Sequence, residues 1–230
     1  MSFKQFLTAA AAVAGIALGA ASGQAASLVV NGDFSAGNTG FSSDYAYFTG
    51  PLAGNGTYTV IPSNGISGYA DWTANSGQDP SGGVSNILVA DGDSTSVASS
   101  ASPKRAWYQS IAVAANTQYT FSFAGIDVNA TPNSNAKLAL LVDGLEVGEL
   151  LANQTWQSLS YSFNSGAATS LLFAIADNNR DSFWNDFAID DIALVVTTPV
   201  PPALLLFLSS LGGIGFLGWR RRRAGQAAAS

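Results

Sequence analysis

The sequence contains no histidine and no cysteine, and these absences exclude several kinds of chemistry. A Ser-His-Asp or Cys-His nucleophile system needs residues that this chain does not have. An ordinary zinc, haem or iron–sulfur site needs His or Cys ligands. Disulfide bonds are impossible, so the chain is not a small secreted scaffold held together by them. Glycoside hydrolysis by two carboxylates and a Ser-Lys dyad stay possible, but fifteen acidic residues make a chance carboxylate pair easy. We therefore predict no catalytic residues and no enzymatic role.

Positive charge is scarce as well. Charged residues make up 10% of the 230 residues, and residues 26–197 hold only four cations against all fifteen acidic residues. Nucleic-acid binding needs clusters of Lys and Arg, so a nucleic-acid partner is excluded. Thirteen of the fifteen acids are Asp, which favours turns and also suits hard cations such as calcium. The hydrophobic fraction of 47% argues against a disordered chain.

The first 25 residues have the pattern of a signal peptide. Lys4 supplies the positive charge, Leu7 to Ala21 form an apolar segment, and Gly23-Gln24-Ala25 is a small-x-small cleavage motif. This pattern predicts export across the inner membrane with removal of residues 1–25. A core helix or an uncleaved N-terminal anchor is the alternative.

The last part of the chain has the pattern of a membrane segment. Residues 203–219 carry no charge, which is near the lower length limit for a transmembrane helix. Four arginines follow at once, and the positive-inside rule places this end in the cytoplasm. A single-pass anchor is the simplest interpretation. The four arginines are Arg220, Arg221, Arg222 and Arg223.

The order of a proline motif, a short apolar helix and an arginine cluster resembles the PEP-CTERM sorting signal of Gram-negative bacteria. The match covers residues 198–224, with Val200, Pro201 and Pro202 at the motif, although the usual Glu between prolines is absent. The resemblance implies an exosortase as processing partner. It also implies transient anchoring in the inner membrane, followed by residence at the cell surface or in the extracellular matrix.

Residues 26–197 have the pattern of β-strands. In QYTFSF, Tyr119, Phe121 and Phe123 alternate with polar residues, and Leu159, Tyr161 and Phe163 do the same in TWQSLSYSF. Asp143-Gly144 between two apolar runs is a strong hairpin signal. Many short strands separated by turn residues predict an all-β, antiparallel two-sheet β-sandwich. The other predicted strands are SLVV, TYTVI, NILVA, AWYQSIAV, SLLFAIA and FAIDDIALVV.

Several of these blocks occur in an order that resembles jelly-roll modules of the carbohydrate-binding type. SLVVNGDFSAG is similar to their opening strand and FAIDDIALVV to their closing strand, although Ser35 stands where the opening motif usually has Glu. The resemblance implies a jelly roll over residues 26–197, a glycan ligand such as extracellular polysaccharide, and structural calcium between the opening and closing strands.

The predicted calcium ligands are Asn31 and Asp33 in the opening block, with Asp190 and Asp191 in the closing one. Adjacent strand residues point to opposite faces, so only one of the two aspartates is expected to face the core. Regular alternation places Asp190 on the face of Ile192 and Leu194. A carboxylate in an apolar strand needs a partner or an ion. The alternative is an Asp that is hydrogen-bonded at a strand end.

Aromatic residues beside polar ones in loop-like segments are the candidates for glycan binding, because sugars stack on aromatic faces and hydrogen-bond to neighbouring polar groups. Two hypotheses follow. The first is an exported surface or matrix protein that binds exopolysaccharide and is associated with a biofilm. The second is a structural envelope or coat protein without a glycan ligand. The candidate residues are Tyr47, Tyr69, Trp72, Asn179, Arg180 and Trp184.

Overall fold

A computed structural model describes residues 26–50, 54–68, 77–93, 103–129, 136–179 and 185–197. Within these ranges the protein is all-β, with one 3-10 helix at Ser63–Gly68 and no α-helix. The strands are β1 (Ala46–Tyr47), β2 (Thr57–Pro62), β3 (Asn86–Asp91), β4 (Lys104–Ala112), β5 (Gln118–Asp127), β6 (Lys137–Val142), β7 (Leu145–Leu151), β8 (Gln157–Asn164), β9 (Ser170–Asp177) and β10 (Phe187–Val196).

The strands form two sheets. One has six strands in the order β1-β2-β3-β10-β5-β8, and the other has four in the order β4-β9-β6-β7. All pairs are antiparallel except β1 with β2. The prediction of an all-β fold built from two mostly antiparallel sheets is confirmed.

The main core lies between the sheets. Trp107 of the four-stranded sheet is fully buried, and its ring centroid is 6.2 Å from that of Phe121 on the six-stranded sheet. Phe121 also packs against Phe173 of the four-stranded sheet at 4.9 Å. The predicted alternation is confirmed, because Tyr119, Phe121 and Phe123 are all buried and β8 alternates between half-buried and exposed residues.

The predicted hairpin is also confirmed. Asp143 and Gly144 connect β6 to β7, with φ of 48° and 79°. Positive φ at both central residues is the requirement of a type I′ turn, which matches the twist of the strands that it connects.

The opening segment differs from its prediction. Residues 28–30 form bends and a turn, and residues 27–30 contain no strand. The segment contacts β10 through two separated main-chain hydrogen bonds, from the Leu28 N–H to the Leu194 carbonyl at 2.8 Å and from the Ile192 N–H to the Gly32 carbonyl at 2.9 Å. The opening and closing blocks are therefore neighbours, but an irregular contact replaces a continuous ladder.

A β-bulge in β10 explains that irregularity. Asp190 pairs with Ala124, whereas Ala193 pairs with Ser122, so β10 has one extra residue at this point, and Asp191 has φ of 52°. A bulge reverses the alternation of side chains beyond it. Ile192 and Leu194 consequently face the core between the sheets.

Asp190 lies on the other face of the six-stranded sheet. It has the same orientation as Ala188, which belongs to a second apolar cluster with Ile87, Val89 and Ile126. The expectation that Asp190 shares a face with Ile192 and Leu194 is therefore wrong, because the bulge lies between them.

Two predicted segments lie outside the described residues: the predicted signal peptide at 1–25 and the predicted sorting segment at 198–224, including Val200, Pro201, Pro202 and the arginines at 220–223. Within the part of the chain that the structure describes, no helix has the length and apolar character needed to cross a membrane.

Candidate functional site

Two of the predicted glycan-binding residues are described by the structure. Tyr47 lies on the edge strand β1 and is 43% exposed, with its ring 5.3 Å from that of Tyr58. The Tyr58 hydroxyl donates a hydrogen bond to the side-chain oxygen of Asn38 at 2.8 Å. Tyr47 is therefore an accessible aromatic side chain with polar groups nearby, and its role in glycan binding stays a prediction.

Asn179 follows β9 and is half-buried. Its main-chain N–H donates to the Asp177 carboxylate at 2.9 Å, and its carbonyl accepts from the Asn185 side chain at 3.2 Å. Tyr47 and Asn179 both belong to the end of the sandwich where β3, β5 and β9 finish. Tyr69, Trp72, Arg180 and Trp184 lie outside the described residues.

Tyr108, which is not among the predicted residues, forms a second candidate site on the outer face of the four-stranded sheet. It follows the buried Trp107 in β4 and is half-buried. The Arg105 guanidinium carbon lies 3.9 Å from the centroid of the Tyr108 ring, so the cation covers one ring face. A cavity of about 430 Å³ beside Tyr108 is lined by Ser42, Ser110 and Leu172, but not by Arg105.

Asp44 holds Arg105 in place. The Arg105 Nε lies 2.8 Å from Asp44 Oδ2, and Nη2 lies 2.9 Å from Oδ1. Partial burial by itself raises the pKa of the Asp44 carboxyl, but hydrogen bonds from Arg105 outweigh it and hold the pKa below its usual value. A bidentate pair of this kind is geometrically specific, and it keeps the guanidinium over Tyr108.

Main-chain contacts fix the wall of this cavity. Ser42 and Tyr108 exchange two backbone hydrogen bonds, at 3.0 Å and 2.9 Å. The Gln109 side-chain amide binds the main chain of Val30 and Gly40. The Ser42 segment is thereby attached to the edge of β4. We define the Tyr108 site as Asp44, Arg105, Tyr108, Ser42, Ser110 and Leu172.

Small residues form the sheet surface next to the Tyr108 site. Ala139, Ala174 and Ala176 lie on this face and are buried. On the far side, the Asn178 side-chain amide donates to Glu149 at 2.6 Å and to Glu146 at 3.4 Å. The face thus combines an aromatic ring, hydroxyl groups, an amide and carboxylates.

Sequence reasoning did not single out Tyr108, because a tyrosine inside an apolar strand resembles a core residue. The available signal was the neighbouring Trp107: if the larger ring faces the core, alternation turns Tyr108 outward.

Three of the four predicted calcium ligands line an open cavity, and the fourth is buried. Asn31, Asp33 and Asp191 line one cavity of about 590 Å³, together with Ser122 and Ser158. The Asn31 side chain is already hydrogen-bonded within its own loop. It donates to the carbonyls of residues 37 and 39 and accepts from the N–H of residue 36. The Asp33 carboxylate accepts from the main chain and hydroxyl of Ser35.

Asp190 is the buried member, at 2% exposure, and its Oδ1 atom has no hydrogen-bond partner in the described structure. Burial raises the pKa of Asp190 to about 8, and the charges of Asp191, Asp79 and Asp33 add to this effect, while the Asp191 N–H opposes it. These carboxylates repel one another, and a cation would relieve that repulsion.

The fit to a calcium ion is partial. An unpaired buried carboxylate oxygen and three neighbouring negative charges favour a cation. However, within the described ranges no three acidic side chains form a group that could hold a metal ion. Asp79 was not foreseen, because it lies far from both blocks in the sequence and reaches them only through the fold.

No protein-family model and no curated protein matches the sequence. Among solved structures, the chain is similar to a Stig cyclase from Fischerella sp. TAU, with a TM-score of 0.51 and 10% identity over 76% of this chain and 100% of that one. It is also similar to Family 16 Carbohydrate Binding Module-2, with a TM-score of 0.43 and 18% identity over 73% of this chain and 99% of that one.

A further similar structure is the CBM22-1 xylan-binding domain from Paenibacillus barcinonensis, with a TM-score of 0.40 and 12% identity over 70% of this chain and 94% of that one. The structural neighbours thus include carbohydrate-binding β domains. Of these three structures only the cyclase reaches a TM-score of 0.5, and at 10% identity that likeness is one of fold. Function therefore has to be argued from the site.

Proposed function

We propose that this protein is a glycan-binding β-sandwich and that the Tyr108 site is its main binding face. The observation that carries the proposal is the arrangement of the Tyr108 ring, which has Arg105 against one face and an open cavity beside it. A sugar ring presents an apolar C–H face together with hydroxyl groups, so it needs an aromatic surface with polar groups around it.

The surroundings of Tyr108 match that need. Ser42 and Ser110 line the cavity, and the Ser110 hydroxyl lies 3.1 Å from that of Ser170, which extends the row of hydroxyl groups. Because Asp44 fixes Arg105 and Arg105 packs on Tyr108, the ring is held in place before a ligand arrives. Preorganisation of this kind lowers the entropic cost of binding.

Tyr47 is the second candidate on the described surface. It is the more exposed of the two rings, but it lies on a strand of only two residues at the edge of the sheet. We place it as a secondary contact for the same class of ligand. The pair Tyr108 and Tyr47 therefore makes the proposal testable by two matched substitutions.

The cellular setting is part of the proposal and rests on the sequence at both ends. Residues 1–25 direct export, residues 203–219 hold the chain in the inner membrane, and an exosortase acts near Pro201 and Pro202. The sandwich then resides at the cell surface or in the extracellular matrix of a Gram-negative bacterium, where exopolysaccharide is the ligand within reach.

We also propose that the sandwich binds without catalysing a reaction and that calcium supports its structure near Asp190. The support for calcium is the unpaired, buried Oδ1 atom of Asp190 beside the charges of Asp33, Asp79 and Asp191. Carboxylate oxygens are the ligands that calcium prefers.

The experiment is a binding assay with a panel of polysaccharides that includes the host's own extracellular polysaccharide. We expect saturable binding that Tyr108→Ala weakens about tenfold or more, equivalent to ~1.4 kcal/mol, while Tyr47→Ala has a smaller effect. Leu151→Ala is the matched control, because Leu151 is an exposed apolar residue on the edge strand β7. Isothermal titration calorimetry measures each affinity.

Binding that is insensitive to Tyr108→Ala but lost with Tyr47→Ala would show that the glycan binds at the edge strand β1 instead. A folded protein that binds no glycan in the panel would reject the proposal and favour the structural coat protein.

A further inference from the structure

The described strands leave four sheet edges, and three of them have a feature that hinders pairing with another chain. The edges are β1 and β8 in the six-stranded sheet and β4 and β7 in the four-stranded sheet. β1 has only two residues, and β4 is bridged to the Ser42 segment through Tyr108. β7 contains a bulge at Val147 and carries Glu146 and Glu149. Short length, coverage, bulges and charge are common ways in which proteins protect a sheet edge.

The fourth edge, β8, has none of these features. It runs for 8 residues, Gln157–Asn164, and pairs with β5 without a register shift. It contains no proline, and residues 150–176 contain no charged residue, although residues 26–197 hold fifteen acids against four cations. The described part of the chain therefore has one long, regular and uncharged sheet edge on an otherwise acidic body.

The pairing with β5 determines which main-chain groups of β8 face outward. The Ser165 N–H donates to the Thr117 carbonyl at 3.0 Å, which continues the register of the β5–β8 pair. Because hydrogen bonds of an antiparallel pair join every second residue, the residues of β8 bond alternately to β5 and to nothing on that side. Those bonded to β5 are Leu159, Tyr161 and Phe163, and those with outward N–H and C=O groups are Ser158, Ser160 and Ser162.

The three serines are accessible to a partner. Ser158, Ser160 and Ser162 are all exposed. The Ser162 hydroxyl bonds to the Thr120 hydroxyl at 2.8 Å, but among the described residues no group pairs with the outward main chain of the three serines. An edge strand in this state is a template for one more strand.

A second copy of β8 fits this edge. When two copies run antiparallel about a twofold axis at Ser160, Ser158 of each lies opposite Ser162 of the other, and the outward groups of all three serines are paired. Leu159 then lies opposite Tyr161 of the other copy, on the face towards the core, where both side chains are only partly buried. Polar and apolar sides therefore stay aligned across the contact.

The charge distribution favours the same contact. Two copies of this acidic body repel each other over most of their surface. β8 and the residues on both sides of it carry no charge, so this is a surface that two copies can bring together without placing carboxylates against each other.

We propose that two copies of this chain pair through β8, as antiparallel edge strands about a twofold axis at Ser160. The two six-stranded sheets then form one continuous sheet. This contact goes beyond the proposed glycan binding and does not depend on it.

The test measures association of the full chain in detergent micelles. Sedimentation velocity over a range of protein concentrations is expected to show a reversible dimer, and hydrogen exchange resolved to single residues locates the contact. The amides of Ser158, Ser160 and Ser162 are expected to gain about tenfold protection or more in the dimer relative to the dilute monomer. Those of Leu159 and Tyr161, which are bonded to β5, stay protected in both.

Charged variants test the edge itself. Ser160→Glu brings two carboxylates together at the axis, so the dissociation constant of the dimer is expected to rise about fivefold or more. Ser160→Lys brings two cations together, has the same expected effect, and serves if the first variant does not fold. Protection of Leu159 and Tyr161 verifies that β8 still pairs with β5.

Gln118→Glu is the matched control and is expected to dimerise like the unchanged protein. Gln118 is also exposed, but it lies on β5, which is paired on both sides. A full chain that stays monomeric at every concentration rejects the proposal. So does a dimer in which the three serine amides exchange as they do in the monomer, or one that Ser160→Glu and Gln118→Glu weaken equally, because the contact then lies elsewhere on the chain.

Discussion

Asp190 shows how one residue links the fold to its chemistry. Its carboxyl is buried on the outer face of the six-stranded sheet, beside apolar residues, and its Oδ1 atom has no partner there. Burial raises its pKa to about 8. Since this value lies above that of an unfolded aspartate, the stability that the proton supplies is complete in acid and is lost as pH rises through about 8.

This leads to a prediction for Asp190→Asn, which removes the charge with little change in shape. Calcium is expected to raise the thermal midpoint of the unchanged protein and to leave that of the variant unaltered. With chelator, the variant is expected to lose less stability between pH 5 and about pH 8 than the unchanged protein. Differential scanning calorimetry measures both. Equal responses to calcium in the two proteins would contradict the assignment of Asp190.

At the scale of the elements, the bulge in β10 decides how the opening segment docks. The extra residue turns Asp191 to positive φ and leaves the Ile192 N–H free of the β5 ladder, so that it donates to Gly32. Gly32 is packed so closely that an added Cβ would lie 1.9 Å from the Ile192 carbonyl oxygen. A glycine is therefore required by contact rather than by backbone angle.

Substitutions at two glycines separate the cost of a steric clash from the cost of a positive backbone angle. Gly32→Ala forces the main chain of the opening segment away from β10, and we expect a loss of about 3 kcal/mol in the free energy of unfolding. Gly144→Ala meets no atom within 4 Å but must adopt φ of 79°, for which we expect a loss of about 1 kcal/mol. Urea unfolding followed by tryptophan fluorescence compares them. A smaller loss for Gly32→Ala than for Gly144→Ala would show that the opening segment is not docked in this way.

At the scale of the whole molecule, both described ends of the chain leave from the same end of the sandwich. Leu28 bonds to Leu194 near the end of β10, and the Thr197 N–H donates to the Gln118 carbonyl at 2.9 Å. The start of β10 lies at the opposite end of the sandwich, where β3 and β5 finish.

The sorting proposal is tested on the full chain. Expressed in a Gram-negative host that has an exosortase, the mature protein is expected to lack the segment that follows the Pro201-Pro202 motif. In the same host without the exosortase, the segment is expected to stay attached. Intact mass spectrometry of the two products distinguishes the outcomes. Identical masses would show that residues 203–219 act as an ordinary anchor.

Local pattern was sufficient to predict most of the strands and the buried faces of β5 and β8. The alternation of Tyr119, Phe121 and Phe123 and the Asp143-Gly144 turn depend on neighbours within a few residues, so the sequence carries them directly. The same is true of the charge balance, from which we predict that nucleic acid is not a partner.

Only the tertiary structure decided which residues meet. The bulge in β10 reversed the expected face of Asp190, because a change of register depends on the pairing with β5 and not on β10 alone. The Tyr108 site joins Asp44 to Arg105 across a separation of 61 residues. Contacts between distant segments arise from sheet order, and no periodicity in the sequence encodes that order.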